Sequence, residues 1–413
     1  MKSWVRRAPI LLALVAAVAA LTASTSFGAT AGNGVVVQGS GSDTSYFLMT
    51  ALGNLYNQAP GCNVLAPANV TQPLNYNCPN AASENSKDFV NYYHDLTAER
   101  FPYGSSNGIA QICQKSTPAV QFARSSRLPK SSDCTGLTFI GFATDGVTWE
   151  CFPTDGNGHA QPCNGVTSLT QQALKDIFVN CTVTDWSDPE VGGSSGPITV
   201  YVPQAGSGTG STWASYLGVT LASGQALDTC IPTAAKAHPG QPGSHVSPEN
   251  TNSLIIANGD QASAIFPFSV GVYHFTYGTN AFSDPNGDGS AVNGINGVQP
   301  TNANLLNSTF PNIRNLFNVY CNGGTGSTCT KVNSATLRFI GQAGGFLCKN
   351  EGKFNDSLGN PILDPITGLP YRGAPNGSTP TGEIPSTISK FGFVPLPKQG
   401  TGTTATYCTS TTH

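Results

Sequence analysis

Three turns rich in glycine, serine and threonine are the stretches of this 413-residue chain best suited to chemistry: Gly39-Ser40-Gly41-Ser42-Asp43-Thr44, Gly104-Ser105-Ser106-Asn107-Gly108 and Gly206-Ser207-Gly208-Thr209-Gly210-Ser211-Thr212. Each precedes a helix-like run: YFLMTALGNLYNQ, IAQIC and WASYLG. A glycine turn that opens a helix leaves backbone N–H groups unpaired and aims the positive end of the helix dipole at them. Serine and threonine hydroxyls add neutral donors. Such a turn can hold phosphate, sulfate or carboxylate. Three of them, far apart in sequence, predict one anion gripped between converging helix ends.

The elements that must position these turns alternate. VVVQ and ITVYVPQ read as strands leading into the first and third turns, and AVQFARSS as a strand ending in a polar turn. LTFIGFATDGVTWECF is strand-rich, and ASAIFPFSVGVYHF reads as a buried strand pair. Helical spacing recurs in SLTQQALKDIFVN, where Ser168 and Gln171 fit a capping box, and in NSATLRFIGQAG and PSTISKFG. The segments from Thr279 to Asn307 and from Asn350 to Pro380 read as glycine- and proline-rich loop. Alternation of this kind predicts an α/β fold with ligands at the carboxyl ends of strands.

Lys2, Arg6 and Arg7 precede the apolar run APILLALVAAVAALTA and small residues around Ala29 to Ala31. This is the pattern of a secretory signal peptide, residues 1–31, with no lipoprotein cysteine following it. The twelve cysteines agree with export. Sequential pairing is the expectation adopted: Cys62 with Cys78, Cys113 with Cys134, Cys151 with Cys163, Cys181 with Cys230, Cys321 with Cys329, and Cys348 with Cys408. The chain has no C-x-x-C spacing and its six histidines show no ligand pattern, so no metal or other cofactor is expected. A net charge of −3 gives no electrostatic footprint for nucleic acid or an anionic membrane. The length of the mature chain favours two domains.

In order along the chain, GSGSDTSYFLMTAL, FPYGSSNGIAQIC, VQFARSSRLP, YVPQAGSGTGSTWASYLG and IPSTISKFGFVPLP resemble the phosphate-binding substrate proteins of ABC transporters. ASAIFPFSVGVY and FPNIRNLFNVY fall where that family has strands. The resemblance implies a two-lobed type II periplasmic-binding-protein fold, with mixed sheets flanked by helices and a hinge between the lobes. One lobe would comprise residues 32–145 and 309–413, the other residues 146–308. It also implies a monomer that captures a tetrahedral oxyanion, phosphate first, in the interlobe cleft for an ABC permease. The alternatives are a secreted scavenger or adhesin uncoupled from a permease, and a serine esterase.

The resemblance places the ligand donors at Ser42, Asp43 and Thr44, at Ser105 or Ser106, and at Ser207, Gly208 and Thr209. Two family charges are missing. Ser126 stands where the family has an aspartate that accepts the ligand's proton, and Pro203 where it has an arginine. Arg124 and Arg127 flank Ser125 and Ser126 and offer a replacement cation, since guanidinium bonds phosphate oxygens bidentately. The competing reading pairs these arginines with acids such as Asp133.

The remaining motifs are weaker. Gly104 to Gly108 fits G-x-S-x-G, for which His274 would be the plausible histidine partner, but no oxyanion-loop motif is evident. No glycine-rich turn is followed by lysine in the Walker pattern. Asp284, Asn286, Asp288 and Gly289 imitate the start of a calcium loop, yet Ile295 stands at the position of its bidentate glutamate. Trp149, Trp186 and Trp213 read as core or cleft-edge aromatics.

Overall fold

The computed structural model describes residues 36–58, 89–92, 104–114, 120–152, 162–222, 224–277, 290–341, 344–355, 358–364, 366–373, 382–401 and 404–413. The leader around Ala29, the Cys62–Cys78 pair and the calcium-like stretch from Asp284 lie outside them.

The main strands are β1 (Val36–Gly41), β2 (Phe89–Tyr92), β3 (Phe122–Ser125), β4 (Leu137–Cys151), β5 (Thr199–Val200), β6 (Ala264–Ser269), β7 (Ile313–Cys321), β8 (Val394–Pro395) and β9 (Thr409–Thr412). They run β2-β1-β3-β7-β4-β6-β5 through one mixed sheet, with β8, β9 and residues 291–292 also pairing with β4. β1 is parallel to β2 and β3, whereas β7 is antiparallel to β3 and β4. The helices that matter here are α1 (Tyr46–Gln58), α2 (Ser105–Ile112), α3 (Gly208–Tyr216), α4 (Val270–Tyr277) and α5 (Glu383–Lys390).

β4 joins the two lobes. Its first part pairs with β7 as far as Gly146, and from Val147 it pairs with β6 instead. All fifteen of its residues are buried, which fits a sequence that is mostly apolar and small and carries two acids, Asp145 and Glu150. On one side of the change of partner lie cores built from Leu48, Leu52, Phe122, Ile140, Phe339 and Ile384, and from Ile109, Phe139 and Val319. On the other lie cores built from Trp149, Leu174, Trp186 and Trp213, and from Phe266 and Tyr273. Trp149, Trp186 and Trp213 are therefore core residues.

Among the described residues, five disulfides join cysteines that neighbour one another in sequence: Cys113–Cys134, Cys151–Cys163, Cys181–Cys230, Cys321–Cys329 and Cys348–Cys408. The three sequence-predicted helices after the anion turns all form.

Three expectations are corrected. ASAIFPFSVGVYHF is a strand followed by a helix, not a strand pair. Ser269 ends the strand, its Oγ accepting from the Val272 N–H (3.2 Å), while the Gly271 N–H donates to Asp145 (2.9 Å). Buried helix and buried strand share a continuous apolar pattern, so periodicity could not separate them. In SLTQQALKDIF the cap is Thr170, whose Oγ1 accepts from the Ala173 N–H (3.0 Å), because Ser168 and Leu169 pair with Gly294 and Ile295. The stretch expected to be loop up to Asn307 holds that strand and a short helix, Asn302–Leu306.

The turns meet because glycine lets backbones touch. The Gly104 N–H donates to Gly41 O (3.0 Å) and the Ser106 N–H to Gly206 O (3.1 Å), so the second turn is clamped between the other two. A Cβ on Gly108, inside α2, would lie 2.5 Å from Gly41 Cα and 2.9 Å from Ser40 O. Gly108→Ala gains at most ~1 kcal/mol of helix propensity. Overpacking against backbone costs about 1–3 kcal/mol and should win. Denaturant unfolding of the variant should show a lower midpoint, and an unchanged midpoint would mean that the turns have slack.

Candidate anion site at the lobe junction

Asp145 and Arg314 face each other across the β4–β7 pairing, at the point where β4 is about to change partners. Both are buried, and the Arg314 Nε and Nη2 donate to Asp145 Oδ2 at 3.0 and 2.8 Å. Asp145 also accepts from Ser269 Oγ (2.8 Å) and from the Gly271 N–H, so one carboxylate ties β4 and β7 to the start of α4. The same guanidinium reaches both sides of the cleft. Its Nη2 lies 3.3 Å from Thr44 Oγ1 and 3.1 Å from Thr209 Oγ1, and its Nη1 donates to Ser126 O (3.2 Å).

The hydroxyls expected to bind an anion are brought together here. Ser42 Oγ donates to Ser126 Oγ (2.9 Å), which lies 3.3 Å from Ser105 Oγ. Ser105 Oγ accepts the Ser126 N–H (3.0 Å). Thr44 Oγ1 and Thr209 Oγ1 are 3.3 Å apart across the cleft. Gly208 lies against Ser126 and Ser105, where a side chain would strike both hydroxyls. Ser207 caps α3 by accepting the Gly210 N–H (2.9 Å). A hydroxyl that accepts from a cation keeps its own hydrogen for another partner, so Arg314 turns Thr44 and Thr209 into donors.

A carboxylate already occupies these donors. Glu249 Oε2 accepts from Ser207 Oγ and from the Thr209 N–H (3.2 Å), and its Oε1 accepts from the Asp43 N–H (3.2 Å). Next to it, Asn250 Nδ2 donates to Thr44 Oγ1 (2.9 Å) and Asn250 Oδ1 accepts from the Ser269 N–H (3.0 Å). The first turn and the start of α3 thus bind an oxyanion through two N–H groups and one hydroxyl, as a helix N-terminus is suited to do.

The two arginines picked out from sequence have their hydrogen-bond partners elsewhere. Arg127 makes a bidentate pair with Asp133 (2.8 and 2.9 Å), and its Nε donates to Ser106 Oγ (3.0 Å). Arg124 donates to Gly39 O and Ser42 O (both 3.2 Å) and lies over the Tyr46 ring. They brace two of the turns, and Arg314 is the cation at the point of convergence. Lys130 also spans the cleft, donating to Ser211 Oγ (3.1 Å) and Leu221 O (3.2 Å). Burial, helped by Arg127, holds its ammonium below the ordinary lysine value, with Asp133 opposing.

Sequence reasoning missed Asp145, Arg314, Glu249 and Asn250. The first two had a signal: single charges inside strand-like runs, ATDGV and NIRNL, are costly unless paired. Glu249 and Asn250 sit in the loop SPENTN, where no pattern marks them.

Two α/β lobes that share a crossing strand, with helix ends converging at their junction, are the fold of a cleft-type binding protein. Residues 81–341 match the PBP superfamily domain, and the chain belongs to that family. Among solved structures it is similar to a protein described as a phosphate ABC transporter substrate-binding protein, with bound phosphate, from Clostridium perfringens; identity is 16%, TM-score 0.48, coverage 88% of this chain and 100% of that one. It is also similar to an ABC-type phosphate transport receptor from Vibrio cholerae (18%, 0.42, coverage 69% and 86%). A third is a phosphate-binding protein from Stenotrophomonas maltophilia (14%, 0.45, coverage 88% and 91%). Comparison with curated proteins gives no match.

Removing Arg314 would leave Asp145 buried without its counter-ion, a loss of about 3–5 kcal/mol. Arg314→Met should therefore unfold at markedly lower denaturant. Adding Asp145→Asn to it should recover part of the loss, and a double variant no better than the single one would show that the pair is not coupled.

Proposed function

We propose that this chain is an exported solute-binding protein that holds a tetrahedral oxyanion, phosphate first, between its lobes and presents it to an ABC permease. One observation carries the reading: donors from two of the three turns already hold a carboxylate, that of Glu249. A phosphate there would take the Asp43 and Thr209 N–H groups and the Ser42, Thr44, Ser105, Ser207 and Thr209 hydroxyls, with Arg314 polarising the threonines. The lobes, on this reading, are residues 32–145 with 309–413, and residues 146–308. They would close over the ligand because contacts from both sides form only in the closed state. Export is supported by the disulfides. No described helix is long and apolar enough to cross a membrane.

The esterase reading has less support. The Ser106 hydroxyl accepts from Arg127, and among the described residues no hydrogen bond joins it to a histidine. His274 is buried, and that burial holds it below the ordinary histidine value, against the pull of Asn302 and Asp145. A chromogenic acyl or phosphate ester should therefore not be turned over.

Isothermal titration with inorganic phosphate tests the main reading. Ser207→Ala with Thr209→Ala should weaken binding by about 1.5–3 kcal/mol per lost bond to the anion, with the fold retained by circular dichroism. Unchanged affinity in that double variant would sink the assignment. Glu249→Gln removes the resident negative charge and should tighten inorganic phosphate by about tenfold, ~1.4 kcal/mol; weaker binding would mean that Glu249 assists the anion instead of competing with it.

A further inference from the structure

We propose that the ligand of this site is a phosphate monoester or phosphonate carrying an ammonium group, which sits in an aromatic, acidic cavity continuous with the anion donors. The inference rests on the anion reading above and adds the chemistry of the rest of the ligand.

The cavity, about 380 Å3, shares Asp43, Thr44, Glu249 and Asn250 with the anion site. Its other walls include the rings of Phe47, Phe275 and Phe391. Phe275 lies 4.5 Å from Phe391 and 6.0 Å from Phe47, centroid to centroid, so rings carried by α1, by α4 and by the residue after α5 meet around one space. Phe47 and Phe275 remain 53% and 40% exposed, an unfavourable arrangement for a closed core and a useful one for a ligand. Among the described residues that line this cavity there is no lysine, arginine or histidine, and the two charged ones are acids. Aromatic faces with carboxylates beside them select an organic cation, quaternary ammonium above all. A second cavity at the junction, about 850 Å3, has the opposite character, being lined by Arg127, Lys130 and Arg314. The charge asymmetry orients the ligand, with phosphate toward Arg314 and ammonium toward the rings.

Charge balance argues the same way. Arg314 is already paired with Asp145, so a phosphate that displaces Glu249 places a new anion beside a carboxylate that has lost its donors. A ligand that brings its own positive charge offsets the displaced carboxylate.

Titration calorimetry on the full chain with inorganic phosphate, phosphocholine and dimethylbutyl phosphate, in which a neutral quaternary carbon replaces the nitrogen, isolates the cation. Phosphocholine should bind on the order of 3- to 30-fold tighter than the neutral isostere. Phe275→Leu, which keeps apolar volume and removes the ring, should erase most of that preference and leave inorganic phosphate unchanged. Equal affinity for phosphocholine and the isostere, with phosphate still binding, overturns this inference alone. A Phe275→Leu variant that weakens inorganic phosphate as much as phosphocholine also overturns it, because the ring would then merely clasp the lobes. Failure of all three anions to bind defeats the anion reading, and this inference with it.

Discussion

The pairing of Asp145 with Arg314 is the constraint on which the rest of the junction depends. Two buried charges survive only if each remains opposite the other, which fixes the register of β4 against β7 where the chain passes between lobes. Once the guanidinium is held there, its remaining N–H groups must also be satisfied. They find Thr44, Ser126 and Thr209, and so draw a turn from each side to the same few ångströms. The first and third turns thus converge on one buried cation that needs several acceptors, and the second is held between them by the Gly104 and Ser106 N–H groups.

That arrangement also explains why the donors are neutral. With Arg314 already balanced by Asp145, the site gains no net positive charge from it. On the proposed reading, attraction for an anion must then come from N–H dipoles and polarised hydroxyls, which replace hydration only if they surround every oxygen. Glycine makes this possible. Gly208 lets α3 press against Ser105 and Ser126, and Gly41 and Gly206, both at positive φ, let the turns accept hydrogen bonds from Gly104 and Ser106.

Much of this was legible in the sequence, for identifiable reasons. Ser42, Thr44, Ser105, Ser207 and Thr209 announce themselves because a helix-opening glycine turn is local chemistry. Pro203 and Ser126 marked two positions that differ in charge from the resembled family, but nothing around them pointed to Arg314 at the junction. Arg124 and Arg127 looked suitable because they are adjacent to Ser126 in the chain, whereas their partners, Asp133 and the carbonyls of Gly39 and Ser42, are decided by packing. Arg314 enters from 188 residues beyond Ser126, along a strand whose pairing no local pattern encodes. The turn from β6 into α4 was missed for a related reason, since both elements are buried and their apolar runs merge.

The resident carboxylate has a thermodynamic consequence. Glu249 bonds to the first turn and to α3 together, so it supplies across the cleft the kind of contact that a ligand would supply. On the proposed reading, lobes bridged internally in this way would populate the closed form even without ligand. A ligand shifts such an equilibrium only by its differential affinity for the closed state. An external anion must therefore outcompete a tethered carboxylate that is always present at high effective concentration. On that reading, weak anions would fail that contest, whereas an anion with additional groups that reach the neighbouring cavity would win it. The residue that competes for the donors would thus also sharpen the choice of ligand.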